Sequence, residues 1–215
     1  MTATAETIAE EAPAREISLL GVIPLGRIDP ARWEASDARL GTRLVPYEDI
    51  AALVCDAPPA GLEADPQQLT ARHWEVHRAL LHGDVVPAPA GITFGGEVQV
   101  AAFLTESYAT LRGALARGAG RWEFRLHIRL ADRVFPQARA LDLATHIYAE
   151  LRRISAAAST TSGGAEDLIG AAFLVDRDGS PAFRDRVDAL SRINSALELE
   201  LTGPWPAYDF VRMHA

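Results

Sequence analysis

Trp122-Glu-Phe-Arg-Leu-His-Ile-Arg-Leu130 alternates large apolar and polar side chains without a break. Successive side chains of a strand point to opposite faces, so the stretch predicts a half-buried strand with Trp122, Phe124, Leu126, Ile128 and Leu130 inward. Working toward the C-terminus, a helix is expected over 136–157, then a Ser/Thr/Gly loop over 159–164. The run Asp167-Leu-Ile-Gly-Ala-Ala-Phe-Leu-Val175 is too apolar for an edge and reads as a central strand. Asp178 or Ser180 is expected to cap a further helix to about 195, with Pro181 in its first turn. Ala196-Leu-Glu-Leu-Glu-Leu201 alternates again and predicts a strand, with a short extended piece over 208–212.

This order, strand–helix–strand–helix–strand, fits a ferredoxin-like α+β layer with two helices on one sheet face. One strand of that pattern is missing, or hidden near 156–161. Toward the N-terminus, Gly118-Ala-Gly120 reads as a domain boundary. Before it, a helix is expected over 97–117, with Val100, Phe103, Leu104, Tyr108, Leu111 and Leu115 on one face. Val85-Val-Pro-Ala-Pro-Ala-Gly-Ile-Thr-Phe94 reads as extended, and its prolines restrict it to an edge strand or a connector. A helix starting at Asp65-Pro66 and stopped by Gly83 precedes it. Glu16-Ile-Ser-Leu-Leu-Gly-Val-Ile23 predicts a buried strand. Arg43-Leu-Val45 and Ala51-Ala-Leu-Val-Cys55 predict two more, separated by a turn at Pro46-Tyr-Glu-Asp49. The expected organisation is an acidic tail (1–14), an α+β domain (15–118) and a C-terminal α+β domain (119–215).

Composition narrows the function. Of the 215 residues 48% are apolar, enough to bury a substantial core. No apolar run approaches the ~20 residues of a membrane span. The formal net charge of -8 disfavours a phosphate backbone as partner. All 21 basic residues are Arg, whose planar fork suits protein interfaces. The single cysteine, Cys55, excludes an internal disulfide and a thiolate cluster. Residues 1–13 have neither the basic nor the apolar region of a signal peptide, which points to the cytoplasm.

The candidate chemical motifs are weak. His73 and His77 lie one helical turn apart with Glu75 between, but without a third ligand, so they read as a solvated or capping pair. His82 sits where a helix C-terminus favours positive charge. Gly91-Ile-Thr-Phe-Gly-Gly96 has neither the phosphate-loop Lys nor dinucleotide spacing. Asp176-Arg-Asp-Gly179 begins like a calcium loop and lacks the later ligands. No catalytic residue, cofactor site or metal site is assigned. An enzymatic or small-molecule-binding ferredoxin-like domain is the alternative, and His73, His77, His127 and Glu75 are its residues to inspect.

The aromatic C-terminus is more informative. Leu201-Thr-Gly-Pro-Trp-Pro-Ala-Tyr-Asp-Phe-Val211 resembles the closing motif of the gas vesicle GvpF/GvpL proteins, L-T-G-P-W-P-P-Y-x-F-V, with Ala207 for the second proline. Ser18-Leu-Leu-Gly-Val-Ile23, Leu44-Val-Pro-Tyr-Glu-Asp-Ile-Ala-Ala-Leu-Val54 and Ala171-Ala-Phe-Leu-Val175 are similar to further segments of that family, in order. One departure stands out: Pro87-Ala-Pro-Ala-Gly91 replaces the usual P-L-R-F-G, which suggests a divergent paralogue. The resemblance implies an α+β N-terminal domain and a modified ferredoxin-like C-terminal domain. It also implies an assembly factor or minor structural protein of gas vesicles, the gas-filled shells that provide buoyancy. Its expected partners are the hydrophobic shell protein and other accessory proteins. Independently of the resemblance, self-association through the open sheet face or the Pro-rich edge is a third reading. Gly203, Pro204, Trp205, Pro206, Tyr208 and Phe210 are the candidate interface, or else they staple the tail over the core.

Overall fold

In the computed structural model, residues 16–27, 42–57, 76, 84–89, 91–132 and 134–210 are described. They form two α+β units, each built on an antiparallel sheet. The first sheet contains β1 (Ile17–Pro24), β2 (Arg43–Tyr47), β3 (Ile50–Asp56), β4 (Val86–Pro87) and β5 (Thr93–Phe94). Its order is β2-β3-β1-β4, and β5 also pairs with β1. β1 is central, which is why its sequence is apolar on both faces. Ile17, Leu19 and Val22 join one core, and Leu20 and Ile23 join another with Val76 and Val85. The described parts of the Pro-bearing segment, 85–89 and 91–94, lie at the sheet edge, where missing donors are tolerated.

The hairpin β2–β3 is tighter than its turn residues suggest. Pro46 and Tyr47 belong to β2, opposite Ala51 and Ile50, and only Glu48-Asp49 form the turn. β2 is an edge strand, so Pro46 is tolerated there. Glu48 takes a φ of 51°, the left-handed value of a tight turn.

Helix α1 (Glu97–Gly118) packs Val100, Phe103, Leu104, Leu111, Ala114 and Leu115 against this sheet. Gln99 accepts the N–H of Gly95 at 2.8 Å and so steadies the helix start. Tyr108 is half-buried against Tyr47 and donates its hydroxyl to Asp49 at 2.8 Å.

The second sheet has the order β7-β8-β6-β9, from β6 (Arg121–Leu130), β7 (Ala157–Thr161), β8 (Asp167–Asp176) and β9 (Leu197–Trp205). Helix α2 (Gln137–Arg153) links β6 to β7, and α3 (Ser180–Ile193) links β8 to β9. The strand hidden near 156–161 is therefore β7, and α2 ends four residues earlier than the sequence suggests. The chain turns at Ile154, whose N–H is held by the Leu151 carbonyl. β7 was hard to see because Ala157-Ala-Ser-Thr-Thr161 lacks large apolar residues. No side chain caps α3. A 3-10 turn over Arg177–Gly179 leads into it, and the Ser180 N–H bonds the Arg177 carbonyl instead of Asp178 or Ser180 capping.

Phe124, Leu126, Ile128, Ala171, Phe173 and Val175 form the core beneath α2 and α3, as the alternation in β6 predicts. The opposite face contributes Leu174 to the α1 core, which spans both units. Residues 208–210 form a turn rather than a strand, with Tyr208 N–H bonding Pro206 O and Phe210 N–H bonding Ala207 O. Turning here carries Ala207 and Phe210 to the α1 core. The tail 1–14, the helix over 65–82 with its histidines except for helical, buried Val76, and Val211 and Arg212 lie outside the described residues.

Leu104 is fully buried in the shared α1 core. Leu104→Ala is expected to cost about 3 kcal/mol, the usual loss for an uncollapsed Leu cavity, measured by urea unfolding.

Candidate functional site

The polar positions of β6, namely Glu123, Arg125, His127 and Arg129, face away from the α2–α3 layer. Together with the C-terminal tail they build a layer of paired charges. Arg125 Nε lies 2.9 Å from Glu123 Oε1 and 3.0 Å from Asp209 Oδ2. The backbone N–H of Asp209 donates to Glu123 Oε2 at 2.8 Å. Further along, Asp167 Oδ2 accepts from Gly164 N–H at 2.7 Å and lies 2.7 Å from His127 Nδ1. Arg129 Nε donates to Asp167 Oδ1 at 2.8 Å, and its Nη1 pairs with Glu200 at 2.8 Å.

The two acidic centres behave in opposite ways. Burial pushes the Glu123 carboxyl up to about 7, reinforced by the nearby charge of Asp209 and opposed by the Asp209 N–H and Arg125. For Asp167 burial also acts upward, but the hydrogen bonds from His127, Gly164 and Arg129 outweigh it and hold the group below its ordinary value. Tyr208, beside this cluster, is pushed up to about 12, chiefly by burial.

The candidate interface residues sit on top of this layer. β9 is bulged opposite Phe124, because Glu123 pairs with Trp205 while Arg125 pairs with Thr202. Gly203 and Pro204, joined by a cis peptide, together oppose the single residue Phe124. Gly203 has a φ of 118°, and a Cβ there would meet the Glu123 carbonyl oxygen at 2.8 Å. Glycine is required on both counts. Arg184 of α3 donates to the Gly203 carbonyl at 2.9 Å and lies over the Phe124 ring at 4.9 Å. Trp205 Nε1 donates to Thr202 Oγ1 at 3.1 Å across the bulge. Pro206 and Ala207 are buried, whereas Trp205, Tyr208 and Phe210 are half-buried. The six residues are therefore brought together as a clasp that ties β6, α3 and the α1 core.

Of the other candidates, His127 is engaged by Asp167, and His73, His77 and Glu75 lie outside the described residues. Pro89, at the position of the Arg in the usual P-L-R-F-G segment, is exposed. Asp176 to Gly179 turn into α3. Among the described residues no group of His, Cys, Asp and Glu is arranged to hold a metal, and no helix is long and apolar enough to cross a membrane. Sequence reasoning missed Glu123, Arg125, Asp167, Asp209 and Arg184. For Glu123 and Arg125 the signal was the polar half of the β6 alternation, which reads as solvent-facing until the tail is placed over it.

Two expectations follow from this geometry. Gly203→Ala is expected to lower the melting temperature by several degrees, roughly 1–3 kcal/mol for a strained backbone and a forced shift, whereas Gly118→Ala, which meets nothing within 4 Å, is expected to change it little. The raised Glu123 value means that the folded chain holds a proton that the unfolded chain has lost between pH 4.5 and about 7. Its contribution is fully present below pH 4.5 and is lost, by about 3 kcal/mol in all, as the pH rises through about 7. Glu123→Gln keeps the acceptor for Asp209 N–H and removes the titration. Unfolding curves between pH 4.5 and 8 are expected to show a flatter profile for the variant, and parallel profiles would exclude Glu123 as the group responsible.

Comparison with known proteins places this geometry. The profile of the family described as gas vesicle synthesis protein GvpL/GvpF matches residues 19–140 and 135–212. Gas vesicle protein F2 of Halobacterium salinarum is 27% identical over 175 residues, covering 79% of this chain and 80% of that protein. Gas vesicle protein F1 of the same organism is 26% identical over 176 residues, covering 79% and 81%. The crystal structure of GvpF from Anabaena sp. PCC7120 superposes with a TM-score of 0.78 at 17% identity, covering 94% of this chain and 98% of that one. GvpF from Microcystis aeruginosa gives 0.76 at 13% identity, covering 92% and 99%. At these identities the two structures speak for the fold, and the profile, matched over nearly the whole described chain, speaks for the family: the chain belongs to the GvpL/GvpF family of gas vesicle synthesis proteins.

Proposed function

We propose that the protein acts in gas vesicle formation by binding the hydrophobic shell protein and other accessory proteins in the cytoplasm and at the growing vesicle. The observation that carries this reading is the family match over 19–212. Physically, a very apolar shell subunit needs a soluble partner before it polymerises, and a body of net charge -8 keeps such a complex dispersed. The contact surface then requires exposed apolar side chains. Val134, Leu141 and Ile193 are 90%, 47% and 73% exposed. Val134 and Ile193 lie at the pole where the end of β6 meets the end of α3, joined by the bond from Ala131 N–H to Ala196 O.

In this reading the organisation is 15–118 and 119–215, and the C-terminal unit is a modified ferredoxin-like domain. The support is its βαββαβ order with strands arranged β7-β8-β6-β9. Its modification is the bulged last strand and the clasp that follows it. Gly203, Pro204, Trp205, Pro206, Tyr208 and Phe210 act first as that clasp, and the half-exposed aromatic edges of Trp205, Tyr208 and Phe210 remain accessible to a partner.

Co-purification with the shell protein tests the proposal. Capture is expected for the native chain, and Val134→Asp with Ile193→Asp is expected to reduce it at unchanged melting temperature. Trp205→Ala is expected to lower the melting temperature and the capture together. No capture of the shell protein or of any accessory protein, where a relative is captured, would sink the reading.

A further inference from the structure

The four-stranded sheet ends in two edges, β7 and β9, and they are protected unequally. β9 is bulged at Gly203-Pro204 and carries Glu198 and Glu200. In the first sheet the edge strands β2 and β4 carry Pro46 and Pro87, and β2 also Arg43. Charges, prolines and bulges are the usual devices that stop a strand edge from pairing with another chain. β7, Ala157-Ala-Ser-Thr-Thr161, has none of them. Among the described residues it pairs with β8 alone, in unbroken register from Ala157↔Leu174 to Thr161↔Gly170.

The ends of this edge carry opposite charge. Before β7, Arg152 and Arg153 close α2 and are exposed, followed by Ile154 at 50% exposure. After it, the 162–166 turn ends on exposed Glu166. Among the described residues none of these three charged side chains takes part in an ion pair. We infer that β7 is a homodimerisation edge: two copies pair their β7 strands antiparallel about a two-fold axis through Ser159, joining two four-stranded sheets into one of eight.

The antiparallel arrangement follows from the charges. A two-fold at Ser159 sets Ala157 of one copy opposite Thr161 of the other. The Arg152–Arg153 end of each copy then lies beside the Glu166 end of its partner, twice by symmetry. A parallel pairing would set Arg against Arg and Glu against Glu. Within the strand itself no charged residue opposes another, and Ala, Ser and Thr side chains let two edges approach closely. The axis runs perpendicular to the sheet, so the helix layers of both copies fall on one side and the α1-bearing units on the other. Ile154, otherwise exposed, is covered by the partner's 162–166 turn.

The test uses the full chain alone, so it is independent of any binding to the shell protein. Sedimentation velocity over about 1–100 µM, a range that brackets weak dimers, is expected to show a concentration-dependent rise from 23.2 kDa to twice that mass. Hydrogen exchange at 157–161 is expected to slow as the dimer forms. Arg152→Glu with Arg153→Glu, and separately Glu166→Arg, are each expected to weaken the dimer about tenfold at low salt and to lose that effect at high salt. Combining all three swaps the two ends and is expected to restore dimerisation. These positions are exposed, so folding is not at stake. A chain that stays at 23.2 kDa throughout, or a dimer indifferent to all the charge variants with unchanged exchange at 157–161, overturns the proposal.

Discussion

A carboxylate that ordinary burial would expel holds the C-terminus in place. Glu123 is fully buried on β6, and what satisfies it comes from its own strand and from the tail: Arg125 on one oxygen, the Asp209 N–H on the other. Arg125 in turn bridges to the Asp209 side chain. Without the tail, Glu123 would lose its backbone donor and Arg125 one of its two anions, and a buried polar group stripped of a partner is costly. The tail is therefore part of the sheet's far face rather than an appendage to it. Its course is set by the Gly203-Pro204 bulge, which turns the chain from the edge of the sheet toward the α1 core.

The same constraint couples the two units. The sheet of the second unit is covered on one face by α2 and α3, and its other face supplies Leu174 to the core around α1. Ala207 and Phe210 enter that core from the tail. At the junction itself, the Asp84 carboxylate accepts from the Gly120 N–H at 3.0 Å and from Arg177 at 3.0 Å, so a residue of the first unit pins both strands of the β6–β8 pair at the end where β6 starts and β8 finishes. Two sheets thus share one apolar layer and one set of buried ionic contacts. This favours a rigid arrangement over the independent motion expected of domains joined only by a linker.

How much of this could be read from the residues depended on whether the signal was periodic. β1, β6, β8 and α1 announced themselves through alternation, continuous apolar runs or helical spacing, and for β6 and α1 most of the inward residues were legible as well. β7 was almost invisible, because Ala, Ser and Thr over 157–161 carry no amphipathic pattern and fit a loop as well as an edge strand. The end of α2 was misplaced for the same reason, since Ala-rich sequence after Arg153 continues a helix on propensity alone. The polar half of β6 was read correctly as facing away from the helices, but Glu123 was not read as buried. Its partner Asp209 lies 86 residues away in sequence, and no local pattern encodes that contact. Conversely, the Gly-Pro-Trp-Pro motif was legible as a family mark long before its mechanical role could be assigned.

That role changes where a partner is to be sought. Gly203 is taken up by its approach to β6, Pro206 and Ala207 are buried, Trp205 spans the bulge, and Phe210 packs toward α1. A motif so largely engaged inside the molecule offers a partner only the half-buried edges of Trp205, Tyr208 and Phe210, so the features that mark the family and the surfaces that bind need not coincide. Val134 and Ile193 are exposed at the opposite, β6-end pole, and the unprotected backbone runs along β7. A clasp that fixes the second unit rigidly against the first also fixes the relative positions of these two surfaces. The motif can thus contribute to binding without touching a partner, by keeping two surfaces at a constant spacing.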